Sequence, residues 1–207
     1  MLRNLLVFLT AFTLAAFILV VSVFRIAEVK YVFSQAPTPT PSTTKSVSIA
    51  YNLPYPGSVL SDSIFWPIKA MRDKVWLTLT VDPAKKADLY LLLADKRLAD
   101  AEVMFTNDRA DLGISVLTKA EKYLESAQST ERIAHKEGMD TTAFLGRLTL
   151  ATLKHREVMD GMLSTAPEDA KPYIIKIEDY PKKLYEQAKN GLLEAGAKAP
   201  QNPYQQN

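Results

Sequence analysis

The sequence predicts an all-α protein: an N-terminal transmembrane helix, a Pro/Thr-rich linker, and then an antiparallel helical bundle of four to five helices. Three observations predict it. Residues 5–24, LLVFLTAFTLAAFILVVSVF, contain no charge, proline or glycine. Residues 34–50, SQAPTPTPSTTKSVSIA, are dominated by Pro, Thr and Ser. Beyond them apolar residues recur at alternating steps of three and four, and no stretch alternates polar with apolar as a half-buried strand does.

The N-terminal run is read as a membrane anchor within residues 1–30. Roughly 20 residues at about 1.5 Å each cross a hydrocarbon core of about 30 Å. A cleaved signal peptide is the competing reading, but it needs a shorter apolar core, about 7 to 15 residues, with a small-residue cleavage site close behind. Here the core is longer, and Ser34-Gln35-Ala36 lies well past Phe24 and is followed by Pro37. Flanking charge hardly orients the span. Arg3 and the terminal amine stand on one side, Arg25 and Lys30 beside Glu28 on the other, and the positive-inside comparison is nearly balanced. The linker, residues 31–50, decides it. Its composition favours an extended, solvated spacer, which reaches roughly 50 Å at about 3.1 Å per residue. Such stalks lift extracytoplasmic domains off a membrane. The expectation is a single-pass cell-membrane protein, N-terminus in the cytoplasm and the bulk of the chain outside.

The bundle is placed at residues 51–196. A first short helix is expected over about 64–80, with Ile64, Ile68, Met71, Val75 and Leu79 on one inward face and Ser63 as N-cap; Pro67 sits late for its first turn. Asp82-Pro83 opens the second helix, Asp as cap and Pro at the first helical position. It runs to about Phe105, with Leu91, Ala94, Leu98, Ala101 and Phe105 as its seam. Thr106-Asn107-Asp108 is expected to end it and cap the third, which carries Gly113, Leu117, Ala120, Leu124 and Ala127 and continues to about His135. Lys136-Glu137-Gly138 stops that helix, and Asp140 or Thr141 opens the fourth, with Phe144, Leu148, Ala151, His155, Val158 and Met162. A last helix falls within about 168–195, with Ile177, Leu184, Ala188 and Leu192 on one side, broken or kinked at Pro172 and Pro181. Heptad-like seams on consecutive helices joined by short polar turns predict antiparallel packing. A helical-repeat solenoid is the alternative, but no pattern recurs at a period of 30 to 45 residues. Residues 197–207, AKAPQNPYQQN, are expected to be a disordered tail.

Charge and cysteine usage exclude several functions. The chain has 25 Lys and Arg against 23 Asp and Glu. Residues 1–30 hold Arg3, Arg25, Lys30 and Glu28, which leaves equal numbers of bases and acids beyond them. A nucleic-acid surface needs an excess of bases, so none is expected. With no cysteine there is no disulfide, thiolate metal site or Cys nucleophile. No phosphate-binding glycine loop and no nucleophile elbow occur. Glu131 and His135 have neither the spacing nor the companions of a di-iron bundle. His155, Met159 and Met162 share a face and suggest Cu(I) ligation, although a buried histidine among gap-filling methionines explains the same pattern. No catalytic, cofactor-binding or metal residue is assigned, and no enzyme activity is expected.

Leu53-Pro54-Tyr55-Pro56-Gly57 leads through Leu60-Ser61-Asp62-Ser63 to Phe65-Trp66 and Ile68-Lys69. Asp82-Pro83, Lys86-Ala87, Leu89, Ala94 and Arg97-Leu98-Ala99-Asp100-Ala101 follow. This order, over roughly 51–127, resembles the uncharacterised bacterial family called domain of unknown function 5667, with Ser61 where that family usually has proline and Pro67 inside the entry helix. The resemblance implies an extracytoplasmic helical domain behind a signal or anchor, and it supplies no activity. Physically, the first motif reads as a strap: Pro-Gly favours a type II turn, and Tyr51, Leu53, Tyr55 and Leu60 are expected to dock on the bundle. The function this supports is an anchored interaction or scaffold domain in the bacterial cell envelope, with the lipid bilayer and an envelope protein as partners. The alternative is an extracytoplasmic sensor or ligand-binding bundle acting through a membrane partner.

Overall fold

The computed structural model describes residues 7–14, 33 and 48–205. The chain divides into two compact units, Met1–Lys30 and Tyr31–Asn207. In the first, residues 7–14 are helical, with Val7, Phe8, Leu9, Phe12 and Leu14 exposed. The remainder of the expected membrane span lies outside the described residues, as does most of the linker. Among the described residues no helix is long and apolar enough to cross a membrane.

The second unit is all-helical. Its helices are α1 (Trp66–Leu79), α2 (Pro83–Thr106), α3 (Ala110–Lys136), α4 (Thr142–Thr165), α5 (Lys171–Ile177) and α6 (Asp179–Glu194), and no strand occurs among the described residues. The Asp82 carboxylate accepts from the N–H groups of Ala84 and Lys85, so α2 begins on the expected cap with Pro83 in its first turn. Other caps differ. Phe65, not Ser63, is the N-cap residue of α1, which brings Pro67 into the first turn, where its missing N–H costs nothing. The α2–α3 turn is made by backbone: Asp108 takes φ +55, and the Arg109 N–H reaches the Met104 carbonyl at 2.8 Å. The expected side-chain cap on α3 is absent. Pro172 and Pro181 also fall in first turns, and the chain bends at Glu178 between two helices rather than kinking one.

Every seam residue expected on α2, α3 and α4 is buried. They form two clusters. One joins Leu98, Phe105, Ile114, Leu117, Met159, Met162 and Ile174; the other joins Leu91, Leu124, Phe144, Leu148, Leu184 and Leu192. α2 and α3 form an antiparallel hairpin along most of their length, and α4 pairs with α6. The alternation is not complete around the bundle. α4 packs more on α2 than on the α3 that precedes it, and the two run the same way, since Asp88 pairs with Arg147 and Asp95 with His155. The antiparallel expectation thus holds for successive long helices and fails for this neighbouring pair.

At Gly113 of α3 the Phe105 ring of α2 packs directly on the helix backbone. A Cβ built there lies 2.8 Å from Cε2 of Phe105, whose ring is enclosed in the core. Overpacking of this kind costs about 1–3 kcal/mol, against about 1 kcal/mol regained by replacing a helical glycine with alanine. Gly113→Ala is therefore expected to lower stability by up to about 2 kcal/mol, read as a lower urea midpoint at unchanged m-value.

The strap docks in part. The Ile49 N–H donates to Glu157 at 2.7 Å, Tyr51 packs on α4 and α6, and Leu53 touches the first cluster. Gly57 takes φ +100, as the second central residue of a Pro-Gly turn requires. Tyr55 stays exposed, against expectation. The tail is also corrected. Residues 197–205 lie against the bundle: Ala197 and Ala199 pack on the second cluster, Asn202 is buried, the Pro200 carbonyl accepts from the Tyr185 hydroxyl at 2.8 Å, and the Arg156 guanidinium sits 3.9 Å from the Tyr204 ring centroid. The cation–π contact and the hydrogen bond supply what the polar composition concealed.

Candidate interaction surface

α1 is amphipathic as the spacing predicts, but it is turned over. Ile64 is 78% exposed, Ile68 51%, Val75 52% and Leu79 73%, with Phe65, Met71, Trp76 and Val81 exposed beside them. The face expected to enter the core is the face turned to solvent. Facing inward are Asp73, at 1% exposure, and Leu77, which joins Leu89 and Leu93 of α2.

The inward side of α1 meets a buried ionic cluster. Arg97 of α2, at 3% exposure, donates through Nη2 to Asp73 Oδ2 at 2.9 Å and lies 3.7 Å from Asp100 Oδ2. Asp100 accepts from the Ser61 hydroxyl at 2.6 Å and from the Ser61 N–H at 3.2 Å. The other Asp73 oxygen accepts from Arg72 at 2.6 Å. Trp66 stacks between two cations, Arg97 at 5.2 Å and Lys119 of α3 at 4.8 Å from its ring centroid. Lys69 Nζ donates to the carbonyls of Pro56 and Val59, both at 2.7 Å, and ties α1 to the strap turn. Burial, followed by the nearby Arg97 charge, pushes the Lys69 ammonium below its ordinary pKa. Turning α1 the other way would strand Arg97 without Asp73, a loss of about 3–5 kcal/mol. Full burial of five large apolar side chains is worth about 1.5–3 kcal/mol each, which exceeds that. The stripe stays outside because no second apolar surface meets it among the described residues, and the surplus is available to whatever covers it.

The residues tested for chemistry lie elsewhere. His155 is fully buried. Its Nδ1 meets Glu121 Oε1 at 2.6 Å and its Nε2 meets Asp95 Oδ1 at 3.1 Å, while Asp95 Oδ2 accepts from the Tyr51 hydroxyl at 2.6 Å. Burial alone would push the imidazolium pKa down; the Glu121 and Asp95 carboxylates outweigh it and raise it to about 9. Both ring nitrogens therefore donate to carboxylates at neutral pH and neither is left for Cu(I), while Met159 and Met162 are core residues of the first cluster. Burial, then Asp95, raises the Tyr51 hydroxyl as well. Glu131 does not meet His135. It accepts from the Thr141 hydroxyl at 2.6 Å and from Gln128 Nε2 at 3.0 Å, at the floor of a cleft of about 660 Å³ that His135, Arg132, Asn190 and Glu194 also line. Among the described residues no group of three or more His, Asp and Glu is placed to hold a metal ion. The Arg97 and His155 clusters are the parts that reading the sequence missed. The only signal for them is that charged residues interrupt α2 on several sides of an otherwise apolar helix.

No curated protein and no solved structure matches this sequence. A family model does, over residues 58–169, from the strap turn to the α4–α5 connection. That is more than half of the 207 residues, and it extends the resemblance read over 51–127 through the whole of α4. The chain belongs to the family described as Domain of unknown function (DUF5667).

Proposed function

We propose that this chain is a membrane-anchored, extracytoplasmic interaction domain of the bacterial cell envelope that binds rather than reacts. The observation that carries the reading is the apolar side of α1, turned to solvent while its other side meets the Asp73–Arg97–Asp100 cluster. The uncharged run at 5–24, the exposed apolar side chains of residues 7–14 and the Pro/Thr-rich linker support placement at a membrane. His155 and its carboxylates have the pairing of a structural centre: each nitrogen is bonded and each residue is buried.

The test is site-specific photo-crosslinking of the full chain in cells, with the probe at Ile68 or Val75 on α1 and at exposed Glu125 on α3 as control. Adducts from the α1 positions and none from Glu125 are expected. A protein adduct would be the envelope partner expected from the sequence. Equal behaviour at all three positions overturns the reading. The second reading, a ligand sensor, is favoured by the cleft at Gln128 and Glu131. It predicts that cleft substitutions such as Asn190→Ala change signalling while α1 substitutions do not.

A further inference from the structure

We infer that the outward side of α1 seats in the headgroup–acyl boundary of the bilayer itself. The inference rests on the interaction reading and names what that surface touches.

Three observations carry it. The surface is the ridge of a single helix, and it continues past both ends of α1, from Ile64 and Phe65 to Val81. Its content is aliphatic, with Phe65 and Trp76, both exposed. Tryptophan, with an apolar ring and one N–H donor, favours the membrane–water interface. Its charges are sorted. Arg72, which pairs with Asp73, and Lys74 are exposed along it, while the one acid within the helix, Asp73, is turned inward. The exposed acids Asp62 and Asp82 stand beyond the two helix ends. Finally, a helix with an apolar face flanked by bases lies in the interface plane, and anionic lipids strengthen the contact. A tether confines the domain near the bilayer, so even a weak contact is populated.

The two tryptophans allow a direct test. Trp66 lies under the helix and Trp76 on its outer side. Trp66→Phe keeps a ring between Arg97 and Lys119 and leaves Trp76 as the only reporter. The full-length variant is reconstituted into phosphatidylcholine–phosphatidylglycerol vesicles with or without brominated acyl chains. Bromination is expected to cut Trp76 emission at least twofold, and a further Ile68→Glu substitution to restore it with the circular dichroism unchanged. Chain that co-floats with the vesicles and keeps its emission overturns this inference and leaves anchoring intact. Failure to co-float overturns both. Trp76 that is shielded equally with and without bromine, in a manner that depends on protein concentration, assigns the face to a second copy and overturns the lipid assignment. A protein adduct from Ile68 or Val75 in the crosslinking experiment overturns it as well, while supporting the interaction reading.

Discussion

Replacing His155 with leucine is expected to destabilise the bundle by roughly 3–5 kcal/mol near neutral pH, the cost of leaving buried charge without its partner. Glu121 and Asp95 sit at the centre of the bundle, and one Glu121 oxygen already lacks a donor. Without the imidazolium, the Glu121 carboxylate has no hydrogen-bond partner, and Asp95 keeps only Tyr51. Adding Glu121→Gln to His155→Leu is expected to recover part of the loss, because it removes an uncompensated charge; urea midpoints of the two variants decide this. The native protein should also show a pH signature. The folded pKa of His155, about 9, lies above the ordinary histidine value of 6.5. Its stabilising proton is fully present below the unfolded value, and the benefit is lost as pH rises from 6.5 through 9. At about 1.4 kcal/mol per unit this amounts to on the order of 3 kcal/mol. Native stability that is flat between pH 6.5 and 9 would show that His155 is neutral in the folded state.

The parts of this fold that were legible in the sequence are those set by periodicity and by local cap chemistry. Leu91 to Phe105, Gly113 to Ala127 and Phe144 to Met162 face one another because each helix has one continuous apolar stripe and a partner stripe to meet. Asp82-Pro83 starts α2 by local chemistry alone, a carboxylate cap followed by Pro in the first turn. What was not legible depends on which side of an element finds a partner. The 64–79 stripe has the spacing of a buried face, and periodicity reports amphipathicity without saying where a second surface lies. The decisive residue, Arg97, sits on another helix. A partial signal was present in α2 itself: Leu89, Leu91, Leu93, Asp95, Arg97 and Asp100 are all buried, so the helix is covered on more than one side. Its apolar run, Leu91-Leu92-Leu93-Ala94, is too dense for a single stripe. The His155 site was hidden for a related reason. Its location in the α4 seam was read correctly, but Asp95 and Glu121 look like surface carboxylates until three helices are brought together.

Removing Asp73 tests whether ionic pairing is what turns α1 over. Asp73→Ala is expected to leave Arg97 buried with only the longer 3.7 Å contact to Asp100, at a cost of roughly 3–5 kcal/mol. The loss should be local. α1 meets the rest of the unit mainly through α2, with Lys69 bonded to the strap and Trp66 beside Lys119 of α3, whereas the two apolar clusters are built from α2 to α6. Amide exchange in 66–79 is therefore expected to accelerate strongly while the α2, α3 and α4 amides keep their protection. The paired substitution Asp73→Leu with Arg97→Met separates attachment from orientation. An apolar pair of similar volume replaces a buried ion pair at little or no cost, so α1 should stay protected while nothing charged holds its polar side inward. If both variants lose α1 protection equally, orientation and attachment are the same interaction, and the cluster is the sole fastening of this helix. If Asp73→Ala leaves α1 protected, then Leu77 in its contact with Leu89 and Leu93, together with the Lys69 bonds to the strap, holds the helix, and the outward stripe owes its position to packing instead of charge.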